Sequence, residues 1–260
     1  MLNLKDKVVL ITGAGSGIGQ AAALLFAEQG ANLVLTGRTL ANLQSTAQQI
    51  ADKGTEVLVV AADVGSAEGA TRVFDDAVAR FGRIEVLVHN AGVGYSHGIE
   101  NPGSMAALAD TPQDMWHEVI RINLDSAYFL CHRAIQEFLK TGEGVIVNVA
   151  SVGGLQGMSD AHTYATAKAG MINLTRSLAR TYGPRNIRSN VLAPGFVATD
   201  MVKPVLESEE NPFAADETKF LASPLGRPGQ PDEMAEGLLF LVTNTYCNGA
   251  VLVLDGGSSA

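Results

Sequence analysis

Four apolar residues, Val8-Val9-Leu10-Ile11, run straight into Thr12-Gly13-Ala14-Gly15-Ser16-Gly17-Ile18-Gly19, and an alanine-rich stretch follows to about Gln29. An apolar run with no polar alternation reads as a strand covered on both faces, and the stretch behind the glycines has helical spacing. Glycine at alternate positions keeps side chains out of the turn, so another backbone or a ligand can approach it closely. A short buried strand, a tight glycine turn and a helix together constrain the fold more than any other part of the chain.

The same alternation continues to the end. Strands are expected at Leu33–Leu35, Val57–Val60, Ile84–Val88, Val145–Val149, Ile187–Leu192 and Val251–Leu254. Between them the spacing predicts helices over Gly17–Gln29, Leu40–Lys53, Ala67–Phe81, Tyr164–Tyr182 and Glu233–Val242, with Gly30, Gly54 and Gly82 stopping the first three. Another helix is expected from Pro112, with Thr111 as its N-cap, to about Lys140. Strands that are apolar throughout and separated by helices predict an α/β fold, a doubly wound parallel sheet of about seven strands with helices on both faces. The length of 260 residues suits one domain, 1–260. Two stretches break the rhythm, an insertion at 93–110 and a longer segment at 196–231 read as a substrate lid. Both leave the carboxyl ends of strands, the edge at which such sheets bind ligands.

Composition narrows the function. A chain that is 47% hydrophobic and 17% charged is not disordered, and a net charge of −9 offers no footprint for nucleic acid or an anionic membrane. Two cysteines, Cys131 and Cys247, read as reduced thiols of a cytoplasmic protein, and no His/Cys/Asp spacing suggests a metal site. No apolar run reaches the ~18 residues of a membrane span.

The glycine turn opening a helix is suited to a pyrophosphate, whose charge then sits at the helix N-terminus. The second strand ends in Thr36-Gly37-Arg38, and the nearest acid downstream is Asp52. Without an acidic acceptor for a free ribose 2′-hydroxyl, Arg38 offers a cation and paired donors to a 2′-phosphate, so NADP(H) is favoured and NAD(H) stays possible.

Further motifs then fall in order: Asn90-Ala91-Gly92 after the fourth strand, Asn123 in the long helix and Ser151 after the fifth strand. Tyr164-Ala165-Thr166-Ala167-Lys168, Pro194-Gly195 and a closing Asp255-Gly256-Gly257 complete the set. The chain resembles the short-chain dehydrogenase/reductases of the single-domain kind, over essentially its whole length. The resemblance implies a Rossmann fold and hydride transfer between a nicotinamide cofactor and a ketone or secondary alcohol. It implies that Tyr164 is the general acid/base, that Lys168 lowers its pKa and binds the nicotinamide ribose, and that Ser151 donates to the substrate oxygen. Asn123 would hold a water that links Lys168 to solvent. Cofactor contacts would come from Gly13, Gly15, Ser16, Gly17, Ile18, Gly19 and Arg38, with Asp63 and Val64 at the adenine. Asn90, Ala91, Gly92, Tyr164, Lys168, Pro194, Gly195, Val197 and Thr199 would serve the remainder, Asn90 also steadying the central strands. Similar proteins are usually homotetramers built through the helices that carry Asn123 and Tyr164, and the resemblance implies the same here.

Three departures stand out. Ser16 occupies a place that is basic in many NADPH-dependent relatives; His89 stands where relatives often have asparagine; and Asn90 and Asn123 are 33 residues apart, longer than in the shortest relatives. His162 reads as a loop histidine facing solvent. Tyr95, Leu155, Met158 and the segment Phe196–Leu221 are the expected substrate contacts, and they suit a medium-sized, mainly apolar ketone or alcohol. Two alternatives remain, a 3-oxoacyl-thioester reductase of fatty-acid synthesis and a non-catalytic nucleotide-binding protein that kept the fold. The charge of −9 gives little support for docking an acidic carrier, and the intact Ser151, Tyr164 and Lys168 speak against a mere binder.

Overall fold

The computed structural model describes residues 2–203 and 223–260. Seven strands, β1 (Val8–Thr12), β2 (Asn32–Gly37), β3 (Val57–Ala61), β4 (Val86–His89), β5 (Gly144–Val149), β6 (Ile187–Pro194) and β7 (Val251–Leu254), form one sheet in the order β3-β2-β1-β4-β5-β6-β7. Every neighbouring pair is parallel. The chain reverses its winding between β1 and β4, whose carboxyl ends flank the crevice where such sheets bind ligands.

Alternate residues of β1 serve opposite layers, as period-two geometry demands. Val9 and Ile11 pack against α1 (Gly17–Glu28), α2 (Leu40–Ile50) and α8 (Pro231–Thr243), whereas Val8 and Leu10 join α3 (Ala67–Phe81) and α6 (Ser126–Thr141) on the other face. Burial on both sides is why the strands are apolar throughout. Gly54 and Gly82 end their helices in the left-handed conformation, φ +71° and +77°, which costs an L side chain about 1 kcal/mol or more.

The long helix expected from Pro112 differs from its pattern in two ways. Pro112, φ −61° and ψ 147°, is itself the extended cap of α5 (Gln113–Ile120), and the Thr111 hydroxyl instead donates to the Ala106 and Ala107 carbonyls. The ring fixes φ but leaves ψ free, so a helix can start one residue after proline as readily as on it. The helix is also not continuous: Arg121–Asp125 forms a π turn between α5 and α6, so one residue more than a uniform α-helix is accommodated there.

The insertion is ordered by its own short helix α4 (Tyr95–Glu100) and by ties to α7 (His162–Tyr182). His162 Nδ1 accepts from the Leu108 amide at 3.0 Å, and the Ala161 amide donates to the Met105 carbonyl at 3.0 Å. His162 therefore anchors the insertion instead of pointing from a loop into water. Ala161 takes a left-handed backbone, φ 49°, at the head of the helix that carries Tyr164, a strain of order 1–3 kcal/mol held by these ties. Of the segment expected as a lid, 204–222 lies outside the described residues.

The turn between β1 and α1 leaves no room for a side chain. A Cβ on Gly19 would sit 2.1 Å from the Gly13 carbonyl oxygen and 2.7 Å from Asn90 Nδ2, and Gly13 itself has φ +64°. Gly19→Ala is accordingly expected to lower unfolding free energy by roughly 2 kcal/mol or more in urea denaturation and to weaken at least tenfold the binding of the dinucleotide expected at this turn. A variant with wild-type stability and wild-type affinity would contradict this close approach.

Candidate active site

Two adjoining clefts open at the carboxyl edge of the sheet, and Gly92 and Val93 line both. The first is bounded by Gly13, Gly15, Ser16, Arg38, Asp63 and Val64. α1 begins at its floor. Ser16 caps α1 with extended backbone but makes no side-chain capping bond, so the first amides of the helix are available to an anion. Arg38 is exposed at the rim. These donors fit a dinucleotide: uncapped amides for a pyrophosphate, a guanidinium for a ribose phosphate and a carboxylate for an amine.

Asp63 has a partner that the sequence pattern does not reveal. Its Oδ2 accepts from Arg121 at 2.9 Å, and its Oδ1 accepts from the Gly65 amide at 2.9 Å. Burial would raise the carboxyl, but the Gly65 amide and the Arg121 and Arg38 charges outweigh it and hold the group below its ordinary range. A pair 58 residues apart in sequence gives no local signal.

Asn90 ties the two central turns together. Its Nδ2 donates to the Thr12 and Gly13 carbonyls, at 3.1 and 3.3 Å, while the Asn90 and Ala91 amides donate to Thr12 Oγ1 at 3.0 and 2.9 Å. Thr12 is thus a further positioning residue, signalled only by a threonine ending a strand at the glycine loop. Gly19 lines neither cleft and packs against Gly13 and Asn90. Gly17 meets Thr199, where a Cβ would lie 3.0 Å from the threonine methyl.

The second cleft brings together Asn123, Ser151, Tyr164 and Lys168 with Asn90, Ile18, Pro194, Gly195, Val197 and Thr199. Tyr164 and Lys168 share a face of α7, four residues apart. Lys168 is 4% exposed; its Nζ donates to the Val149 carbonyl at 3.0 Å and lies 5.6 Å from the Tyr164 ring centre. Ser151 caps a short turn, its Oγ accepting from the Gly153 amide at 3.1 Å, and it also bonds Tyr164. Burial pushes the Tyr164 phenol up, opposed by its bond to Ser151, and pushes Lys168 down to about 8. The lysine charge does not overcome burial here, so the phenol stays protonated, contrary to the lowered tyrosine pKa expected from the sequence.

Asn123 lies in the π turn, fully buried. Its Nδ2 donates to the Val93 and Val119 carbonyls, each at 3.2 Å, and its Oδ1 accepts from the Val93 amide at 3.2 Å. The side chain is occupied in clamping the loop behind Gly92, where a Cβ would fall 2.7 Å from Asn123 Oδ1 and 3.4 Å from Lys168 Nζ.

The other end of that loop is held by His89, fully buried at the end of β4. Ser126 Oγ gives its single proton to the Ile122 carbonyl at 2.6 Å. At 3.1 Å from His89 Nε2 it must therefore accept, which assigns the proton of a neutral imidazole to Nε2. Burial, then the Lys168 charge, push His89 down to about 3, opposed by the neighbouring Asn148 side chain. The substituted asparagine position thus changes the local chemistry: it pins the π turn from the side opposite Asn123.

The walls of the second cleft are apolar, with Tyr95, Met105, Val152, Met158, Phe196 and Met201. Leu155, expected among them, faces outward and is 41% exposed; its neighbour Gln156 lines the cleft instead. Among the described residues no group of His, Cys, Asp and Glu could hold a metal ion, and no helix is long and apolar enough to cross a membrane.

A doubly wound sheet with a glycine turn, a Tyr–Lys pair in the cleft and an adjacent serine defines a dehydrogenase-type nucleotide enzyme. The family model described as Enoyl-(Acyl carrier protein) reductase matches residues 13–259. A 3-oxoacyl-[acyl-carrier-protein] reductase of Chlamydia muridarum is 36% identical, covering 98% of each chain. The cis-4-hydroxycyclohexanecarboxylate dehydrogenase of Sinomonas cyclohexanicum is 35% identical over 98% of this chain and 97% of that one. The crystal structure of a levodione reductase superposes with a TM-score of 0.91 at 33% identity, over 99% of both chains. The chain belongs to the short-chain dehydrogenase/reductase family. It is an NAD(P)-dependent oxidoreductase that moves hydride between a nicotinamide cofactor and a ketone or secondary alcohol.

The buried imidazole has a consequence for folding. The folded state refuses a proton that the unfolded chain takes up near pH 6.5, so this share of stability is full above that pH and is lost as pH falls toward 3. Between pH 7.5 and 5 the loss amounts to about 2 kcal/mol. His89→Asn removes the titration, so its urea-derived stability should fall by about 2 kcal/mol less than wild type over that interval; parallel curves would refute the buried neutral imidazole.

Proposed function

We propose that this enzyme is an NADP(H)-linked carbonyl reductase of a compact, mainly apolar ketone, with Tyr164 as its general acid. The observation that carries this reading is the meeting of Ser151, Tyr164 and Lys168 on the floor of an apolar cleft. When bound, the nicotinamide supplies hydride to the carbonyl carbon, or takes it from the carbinol carbon in reverse. Ser151 Oγ and the Tyr164 hydroxyl face one oxygen of the substrate from the protein side. The Tyr164 proton, held on the phenol by burial, passes to the oxyanion as it forms. Ser151 donates to the same oxygen and spreads its charge. Lys168, a cation below about pH 8, stabilises the phenolate left behind and is placed to bond the nicotinamide ribose. Reprotonation runs from Lys168 toward the Asn123 turn through water.

Cofactor choice rests on Arg38 at the rim and on the absence of an acid before Asp52. Asp63 and Val64 serve the adenine, Ser16 and the loop glycines the pyrophosphate, and Pro194, Gly195, Val197 and Thr199 the nicotinamide end. The chain acts as one domain, 1–260, with 93–110 covering the substrate and 196–231 as lid. A homotetramer in the cytoplasm is in keeping with two unpaired cysteines and with Tyr128, 55% exposed, and Leu139, 44% exposed, on α6. A second reading, reduction of a 3-oxoacyl thioester, is favoured by the Chlamydia relative. It predicts faster turnover of acetoacetyl thioesters than of simple ketones.

Tyr164→Phe should lower kcat by about 10²–10⁴-fold on any ketone the wild type reduces, with NADPH affinity within about threefold. Retained turnover in that variant would remove Tyr164 from the chemistry. Arg38→Ala should weaken NADPH about 10–100-fold, the worth of charge-assisted bonds to a phosphate, and leave NADH unchanged. An equal loss for both cofactors would sink the 2′-phosphate contact.

A further inference from the structure

Tyr95 begins α4 in the insertion, and the proton path described above makes no use of it. Its ring lies flat along Phe196, centroids 6.5 Å apart and planes within 14°. The backbone on either side is tied to the segment after β6. The Ser96 amide donates to the Met201 carbonyl at 3.0 Å, and a Cβ on Gly94 would meet Met201 Sδ at 2.8 Å. Contacts on the ring and on both flanking residues place this side chain at the wall of the catalytic cleft.

The hydroxyl is held differently from the ring. It has no hydrogen-bond partner among the described residues, and it shares the cleft with Tyr164 and Ser151 amid Met105, Met158 and Met201. Burial raises its pKa to about 12, and the Asp160 charge and Tyr164 push the same way, so the group is a neutral donor across the physiological range. A substrate that closes it off from water must supply an acceptor or leave a polar group stranded among methionines. Ser151 and Tyr164 converge on one oxygen, so this third hydroxyl is left for another. The Asp160 carboxylate close by disfavours an anion in that place.

We propose that Tyr95 is a specificity-determining residue whose hydroxyl donates to a second oxygen of an uncharged, compact substrate, a diketone or hydroxyketone. The inference rests on Ser151 and Tyr164 taking the reacting oxygen. Phe196 supports the ring from behind, so the acceptor is selected by a rigid donor with little entropy to lose.

The test compares two ring-matched ketones, cyclohexane-1,4-dione and cyclohexanone, with NADPH and with wild type, Tyr95→Phe and Tyr164→Phe. Tyr95→Phe keeps the stacked ring, and its melting temperature checks that the fold is intact. The expected result is a 10–100-fold loss of kcat/KM on the dione and a change within about twofold on cyclohexanone. An equal loss on both ketones, or no loss on the dione, overturns the proposal. Tyr164→Phe separates the two readings: if it stays active, the general-acid assignment fails whatever Tyr95 does. If it is inactive while Tyr95→Phe shows no selectivity, only the Tyr95 proposal falls. Calorimetric titration of each ketone into the protein–NADP⁺ complex gives the answer without turnover. Tighter binding of the dione in wild type, equalised in Tyr95→Phe, supports the proposal; equal binding in wild type, or none, overturns it.

Discussion

The cleft depends on two backbones passing at the switch point with no side chain between them. Asn90 reaches from the end of β4 to the Thr12 and Gly13 carbonyls, and Thr12 Oγ1 receives the Asn90 and Ala91 amides in return. Gly19 then closes to a distance no Cβ could share. These bonds connect the loop suited to a pyrophosphate with the loop that ends in Gly92. Each bond is worth about 1 kcal/mol net, but their effect is geometric. They set the separation of β1 and β4 where the sheet opens, and both clefts inherit it.

From that tie the site is built outward by buried, hydrogen-bonded polar groups. The loop 89–93 is gripped at both ends by one π turn, through His89–Ser126–Ile122 at the first residue and through Asn123 at the last. Asn123 in the turn and Ser126 directly after it reach opposite ends of the same loop. Such networks are rigid when complete and costly when one member is lost. That suits a segment which must hold Gly92 beside Lys168 without a side chain of its own.

Features governed by local periodicity were legible in the sequence. The apolar runs named all seven strands, the stop glycines ended helices where expected, and Tyr164 with Lys168 gave a shared face from spacing alone. What escaped depends on partners far apart in the chain. Arg121 with Asp63, His89 with Ser126 and His162 with Leu108 are separated by 58, 37 and 54 residues. No pattern within a helix reports such pairs. The π turn escaped because its sequence, Arg121 to Asp125, has ordinary helical composition; tertiary hydrogen bonds, not propensity, select it. The direction of the tyrosine shift escaped because the motif shows the neighbouring cation but not how little water reaches the two groups.

The same shielding from water acts on both partners of the pair. The same loss of water raises the Tyr164 phenol and lowers Lys168 to about 8, so at neutral pH the pair is a phenol beside an ammonium, the state that reduction of a carbonyl consumes. Holding the ammonium there costs about 3 kcal/mol relative to its ordinary value of 10.5. The sign is that of a depressed base: the cost is full below pH 8 and is relieved as pH climbs toward 10.5, where the unfolded chain also gives up its proton. The Val149 carbonyl accepts from Nζ and offsets part of it. A core of this size could dispense with the lysine and gain stability, as functional sites often could. Alcohol oxidation starts from the phenolate, and burial opposes it. The Lys168 charge favours that phenolate only while the lysine keeps its proton.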